Sequence, residues 1–182
     1  SGDNNTAFGR YALKSLTTGD YNDAFGAMAL DTCTTGARNI AIGYTALNSL
    51  TTGSYNTVTG YAGFSLLTTG TNNVGIGYLA GYSSTTGSTN VAIGRSALRN
   101  NTTANDNTAV GAYALETNVS GSENVAIGKR ALQASTSSSN TAVGHKALES
   151  VEDGSGNTAL GCNAGDAITT GANNTAIGHE AL

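Results

Sequence analysis

The sequence predicts an all-β fold: a parallel β-roll or β-solenoid of 17-residue repeats, stacked as 11 laps of one chain. Three observations predict it. The pattern Asn-x-x-x-Gly recurs in register along all 182 residues. The residues between Asn and Gly alternate with period two and are rich in β-branched side chains, as in a strand. Proline is absent while glycine occurs 25 times. A stacked coil explains both, because every lap pairs above and below and turns sharp corners.

The repeated Asn positions are Asn5, Asn22, Asn39, Asn56, Asn73, Asn90, Asn107, Asn124, Asn140, Asn157 and Asn174. Every spacing is 17 except that from Asn124 to Asn140, which is 16. The matching glycines are Gly9, Gly26, Gly43, Gly60, Gly77, Gly94, Gly111, Gly128, Gly144, Gly161 and Gly178. Helical repeats need roughly 33 to 47 residues, so this period is too short for a helix pair. It suits two short strands and two turns. Laps about 4.8 Å apart would make a rod roughly 50 Å long. Residues 1–182 form one repeat domain, expected to be an excerpt of a longer fibre.

Each repeat position becomes a column of like residues. The first element is a strand of the form T-A-I. Its large column includes Phe8, Phe25, Ile42, Ile76, Ile93, Val110, Ile127, Val143, Leu160 and Ile177, with Thr59 as the exception. Its central column is nearly pure Ala, as at Ala24, Ala41, Ala92 and Ala126. Large residues and Ala therefore face opposite sides. The Gly that follows marks a corner or a tight backbone approach. The next piece, x-A-L-x-S-L, is expected to be a second strand. Facing Ile and Leu rows would then make a thin core, with the Ala columns open to a neighbouring sheet. The T-T-G run is the second turn. The single deletion falls at 135–139, where a surface turn tolerates it. The Asn column forms either a ladder of stacked amides or a set of solvated turn residues.

Composition narrows the function. Twelve acidic against eight basic residues leave a net charge of −4, with no basic excess for nucleic acid. No apolar run reaches the roughly 18 residues of a membrane span. Cys33 lies in a Leu column and reads as a small core residue; it is too far from Cys162 to pair. An exposed strip of Ala and Leu along a rod would aggregate, so a partner copy is expected, with three-fold closure preferred.

Chemistry is sought in the variable columns. Tyr44, Tyr61 and Tyr78 occupy one column on neighbouring laps. They are the candidate surface-binding residues, either a platform for sugar rings or simple cross-lap aromatic pairs. His145, Cys162 and His179 share that column further along. They offer soft ligands, but no fourth ligand is evident, and surface variation accounts for them better. Glu152 and Asp153 replace a Thr pair and read as a solvated turn. No nucleophile–His–acid set, phosphate loop or zinc-hydrolase helix occurs. No catalytic residue, cofactor or metal is expected, and the chain is expected not to be an enzyme.

The strings N-I-A-I-G (Asn39 to Gly43), N-V-A-I-G (Asn90 to Gly94 and Asn124 to Gly128) and N-T-A-I-G (Asn174 to Gly178) carry a resemblance. They resemble the signature of YadA-like head domains in trimeric autotransporter adhesins. The N-T-A-I-G-x-x-A-L form is also similar to repeats of phage tail fibres and related bacterial fibre proteins. The repeat here is longer than that usual in the adhesin family. The resemblance implies a left-handed β-roll, a homotrimer, an extracellular place on a bacterial surface or virion tail fibre, and an adhesive role toward a cell-surface glycan or protein. A purely structural spacer with its binding tip elsewhere is the alternative. An ice-binding solenoid is the minor one, suggested by Thr pairs such as Thr51 and Thr52.

Overall fold

The computed structural model describes residues 2–182, which wind as a β-solenoid. It has 11 strands: β1 (Thr6–Phe8), β2 (Asp23–Phe25), β3 (Ile40–Ile42), β4 (Thr57–Thr59), β5 (Val74–Ile76), β6 (Val91–Ile93), β7 (Thr108–Val110), β8 (Val125–Ile127), β9 (Thr141–Val143), β10 (Thr158–Leu160) and β11 (Thr175–Ile177). They form one parallel sheet in sequence order. The register is that of the repeat, with Ala24 opposite Ala41 and Phe25 opposite Ile42. Laps are numbered from 1 to 11 by their Asn, from Asn5 to Asn174. The shortened lap, lap 8, keeps its pairing on both sides.

The strand buries its Ala and exposes its large residues. Ala24, Ala41, Ala92, Ala109, Ala126 and Ala142 are fully buried. Phe25, Ile42, Ile76, Ile127 and Leu160 are 41–50% exposed. The core is instead made of this Ala column, the Ala–Leu column of the next segment, and the column of Cys33, Leu50 and Leu67. So the Ile row is not part of the interior, contrary to the facing-rows expectation, and the Ala and Leu columns are the core rather than an exposed strip. The physical reason is space: a 17-residue perimeter with four inward apolar columns and a buried Asn column leaves room for methyl groups opposite the leucines, and no more.

The expected second strand is also absent. Each lap has one strand, and x-A-L-x-S-L is a run of turns. Two of its positions are left-handed, as at Met28 (φ 59°) and Leu30 (φ 52°) in lap 2. A third left-handed residue precedes the Asn, as at Tyr21 (φ 58°). Such conformations cost L-residues roughly 1–2 kcal/mol each. Lap-to-lap hydrogen bonds hold them in place: the Leu30 N–H donates to the Ala46 carbonyl at 3.1 Å, and the Met28 N–H to the Arg10 carbonyl at 2.8 Å. The segment is therefore zipped to its neighbours like a strand without having strand dihedrals.

This geometry makes a prediction at Thr89, which is exposed with φ 59° before Asn90. A β-branched residue is strained there, whereas Asn4, Asn72 and Asn173 hold the same position in other laps. Thr89→Asn is expected to raise stability by about 0.5–1 kcal/mol, read as a higher urea midpoint. A lower midpoint would contradict the left-handed assignment.

Glycine at the corner after each strand has two causes. Its φ lies far on the positive side, as in Gly43 (φ 133°). A methyl group on Gly94 would also come within 2.7 Å of the Gly111 carbonyl carbon one lap on. Both exclude a side chain.

The Asn column is the ladder, and it is buried. Asn22, Asn39, Asn56, Asn73, Asn90, Asn107, Asn124, Asn140 and Asn157 have no exposed surface. In lap 3, the Asn39 N–H donates to Asn22 Oδ1 at 3.1 Å, and Asn39 Nδ2 donates to the same oxygen at 3.0 Å. Asn39 Nδ2 also donates to the Gly53 carbonyl at 3.0 Å. The Asn39 amide thus ties three points: the Asn22 amide of the lap before, the T-T-G turn that closes its own lap, and the Asn56 N–H of the lap after, which donates to Asn39 Oδ1 at 3.0 Å. The alternative of solvated turn residues does not hold.

Candidate functional site

The outward columns just past the Gly corner carry the side chains capable of recognition. Tyr44, Tyr61 and Tyr78 sit on consecutive laps, as their column predicts. Their rings stack on one another with centroids 5.3 Å apart and planes 22° and 19° from parallel. Rings that lie face to face offer edges and hydroxyls to solvent rather than a flat row of open faces. The cross-lap pairing expectation therefore describes these residues better than a platform does.

A similar ladder lies on another face, in the column before the Asn. The Arg38 guanidinium sits between the rings of Tyr21 and Tyr55, 5.5 and 5.3 Å from their centroids. It also donates a hydrogen bond to the Tyr55 hydroxyl at 3.1 Å. These contacts tie neighbouring laps on the surface as the Asn amides do in the interior.

Lap 4 opens a depression beside the tyrosines. Two outward columns shrink there to Ala62 and Ser65, both buried. In the flanking laps the same columns hold Thr45, Leu79 and Tyr82. The result is a shallow hollow of about 430 Å³ lined by Thr45, Tyr61, Ala62, Ser65, Tyr78, Leu79, Tyr82 and Arg99. Reading the sequence by columns does not single out Ser65, Tyr82 and Arg99, because the hollow is made by what is small in lap 4 rather than by any motif.

The core beneath departs from the repeat in the same laps. Lap 4 has Val58 in place of Ala and Phe64 in place of Leu; lap 5 answers with Gly75 and Gly81. A methyl group on Gly81 would land on the Phe64 ring, and one on Gly75 would lie 2.7 Å from Phe64 Cδ2. One on Gly63 would lie 2.6 Å from a Val58 methyl. The large and small residues compensate each other, so the backbone under the hollow is braced by a fully buried ring.

The soft-ligand column does not converge. His145 Nδ1 and Cys162 Sγ are 3.8 Å apart, while His179 lies beside Glu180 at 3.8 Å. Among the described residues no group of three or more His, Cys, Asp or Glu side chains could hold a metal ion. Glu152 and Asp153 are exposed, with the Thr136 hydroxyl 3.4 Å from Asp153 Oδ1. Among the described residues no helix is long and apolar enough to cross a membrane.

Both cysteines are free thiols. Cys33 is fully buried, and desolvation pushes its thiol above the ordinary value of 9.0. The folded form therefore holds its proton more tightly than the unfolded chain. That contribution to stability is present below pH 9.0 and is lost as pH rises through the raised value. Iodoacetamide at neutral pH is expected to label Cys162 and leave Cys33 intact until the chain is denatured. Equal labelling of the two in the folded chain would contradict the core placement.

The Thr pairs are partly committed to the backbone. The hydroxyl of Thr51 donates to the Thr68 carbonyl at 3.0 Å, and that of Thr68 to the Thr85 carbonyl at 2.8 Å. One hydroxyl of each such pair is thus engaged with the next lap rather than presented to water.

No family model, curated protein or solved structure matches the chain.

Proposed function

We propose that this chain is a segment of a trimeric, extracellular fibre that supports attachment to a cell surface. The observation that carries the reading is the outer face of the sheet. Phe25, Ile42, Ile76, Ile127 and Leu160 stand exposed in one row, with Ile93, Val110 and Val143 half-buried between them. A second row beside it holds Ile40, Val74, Val91 and Val125 among Thr and Asp residues, and Thr59 interrupts the first row in lap 4. Monomeric soluble proteins rarely leave an apolar strip of this length in water. A three-fold axis parallel to the rod brings three such strips together on one line and leaves none exposed. The closed ladders above and below each lap supply the stiffness a shaft needs. The same features suit a pure spacer, and the lap 4 hollow is the observation that favours an adhesive role over that alternative.

Sedimentation equilibrium tests the assembly. A mass three times the 18.1 kDa of one chain is expected at micromolar concentration. A stable monomer there would defeat the proposal. Ile42→Asp combined with Ile76→Asp is expected to weaken association by on the order of a hundredfold or more, because each carboxylate would be buried without a partner. The strand dihedrals do not depend on these outward side chains, so the circular dichroism spectrum is expected to persist.

A further inference from the structure

We infer that the lap 4 hollow is a binding site for a single pyranose ring bearing a carboxylate. The inference rests on the adhesive reading for its biological setting and adds the ligand class and the residues. It does not use the apolar strip, since the hollow lies past the Gly corner, on other columns.

Shape comes first. The floor is Ala62 and Ser65, and the walls are Tyr61, Tyr78, Leu79 and Tyr82. About 430 Å³ falls within the range of small-molecule sites and is ample for one sugar ring. Tyr61 and Tyr78 present ring edges and hydroxyls, and Leu79 and Ala62 add apolar surface, a mixture that suits a pyranose with its apolar C–H faces and hydroxyl rim. The Ser65 and Thr45 hydroxyls and the tyrosine hydroxyls can both donate and accept.

Charge selects among sugars. Among the described residues Arg99 is the one charged side chain lining the hollow, and no carboxylate lines it, although the chain as a whole carries −4. Arg99 is weakly held: its nearest carboxylate oxygen, on Glu116, is 3.9 Å away. The other Glu116 oxygen accepts a hydrogen bond from Gln133 at 2.7 Å. The guanidinium therefore keeps donors for a ligand carboxylate, which it can grip through two parallel N–H groups. A neutral sugar would leave that cation unused.

The site is also built, rather than being a casual gap. Ala62 and Ser65 flank Phe64, whose ring fills the space left by Gly75 and Gly81. The repeat is thus altered inside and outside at the same laps, and the hollow floor cannot collapse inward.

The test is a nuclear magnetic resonance titration of the full chain with glucuronic acid, N-acetylneuraminic acid and glucose, with sedimentation of the same sample. Saturable shifts of the Ala62 and Ser65 amides with at least one acidic sugar, and roughly tenfold weaker response to glucose, are expected. Arg99→Gln is expected to remove that preference for acidic sugars. Ala62→Leu, which copies the residue of the next lap, is expected to fill the floor and abolish the shifts while leaving the rest of the spectrum in place. Absence of saturable shifts with any of the three sugars, equal response to glucose, or an unchanged acid preference in Arg99→Gln would overturn the inference. Its failure is separable from that of the fibre reading: a trimer that ignores sugars sinks only the site, and a monomer that binds them sinks only the assembly.

Discussion

Asn73→Ala is expected to destabilise the solenoid by about 2–5 kcal/mol, an effect out of proportion to the few atoms removed. Asn73 Nδ2 donates to the Gly87 carbonyl at 2.9 Å and to Asn56 Oδ1 at 3.0 Å, while its Oδ1 accepts the Asn90 N–H at 3.0 Å. Removing the amide leaves the Asn90 N–H and the Gly87 carbonyl buried without partners. Each such orphan costs roughly 1–3 kcal/mol. A solvated turn residue would cost far less, so the size of the loss, read from chemical denaturation, discriminates between the two. Asn73→Asp sharpens the test. Its carboxylate can still accept from Asn90 but faces the Gly87 carbonyl with no proton to give. The folded state then prefers the protonated acid, so its pKa is raised above the unfolded value. The penalty is absent below the unfolded carboxylate range near ~3.9 and grows as pH rises toward the raised value. The variant is therefore expected to approach the stability of the unsubstituted chain in acid and to fall behind it at neutral pH.

Gly81→Leu is expected to be the most damaging core change, and its partner substitution to reverse much of it. Every other lap except lap 10 has Leu or Phe where lap 5 has Gly81. The repeat alone would thus rate Gly81→Leu as an improvement. In the structure the Phe64 ring already occupies that space, and Gly81 is itself left-handed at φ 61°. Overpacking there costs roughly 1–3 kcal/mol or more. Phe64→Leu alone opens a void and is expected to cost about 1–3 kcal/mol. Combining the two restores the consensus pair, and the coupling energy is expected to be on the order of 2 kcal/mol in the stabilising direction. Additive losses would show that the two side chains do not share one space.

The period, the strand and the parallel lap-on-lap register are legible in the sequence because period-two alternation and a fixed repeat are properties of the chain itself. The sign of the strand is not. Alternation says that Ala41 and Ile42 face opposite ways, but not which way is in; that depends on how little space a lap encloses. The A-L-x-S-L piece resembles a strand because Leu, Met and Thr do not advertise φ > 0 as Gly does, yet Leu47 and Thr45 adopt it. The Asn ladder is one of two readings of its column, and only burial decides between them. The tyrosine column is visible from spacing, but stacking turns its ring faces onto each other. The hollow beside it is defined by Ala62 and Ser65, whose smallness has meaning only against the laps on either side.

If each strand points its Ala inward and its large residue toward a partner copy, the two sides must differ in reactivity. Two cysteine reporters in a Cys162→Ser background measure that difference, with Cys33 shielded in the core. Ala41→Cys reports on the inner side and Ile42→Cys on the outer. Alkylation would be followed across protein concentration. Ala41→Cys is expected to stay protected at every concentration, while Ile42→Cys is protected when concentrated and reactive when diluted. Ile42→Cys reacting equally at all concentrations would contradict the partner copy. Ala41→Cys reacting while Ile42→Cys stays protected in the dilute monomer would contradict the fold's orientation itself.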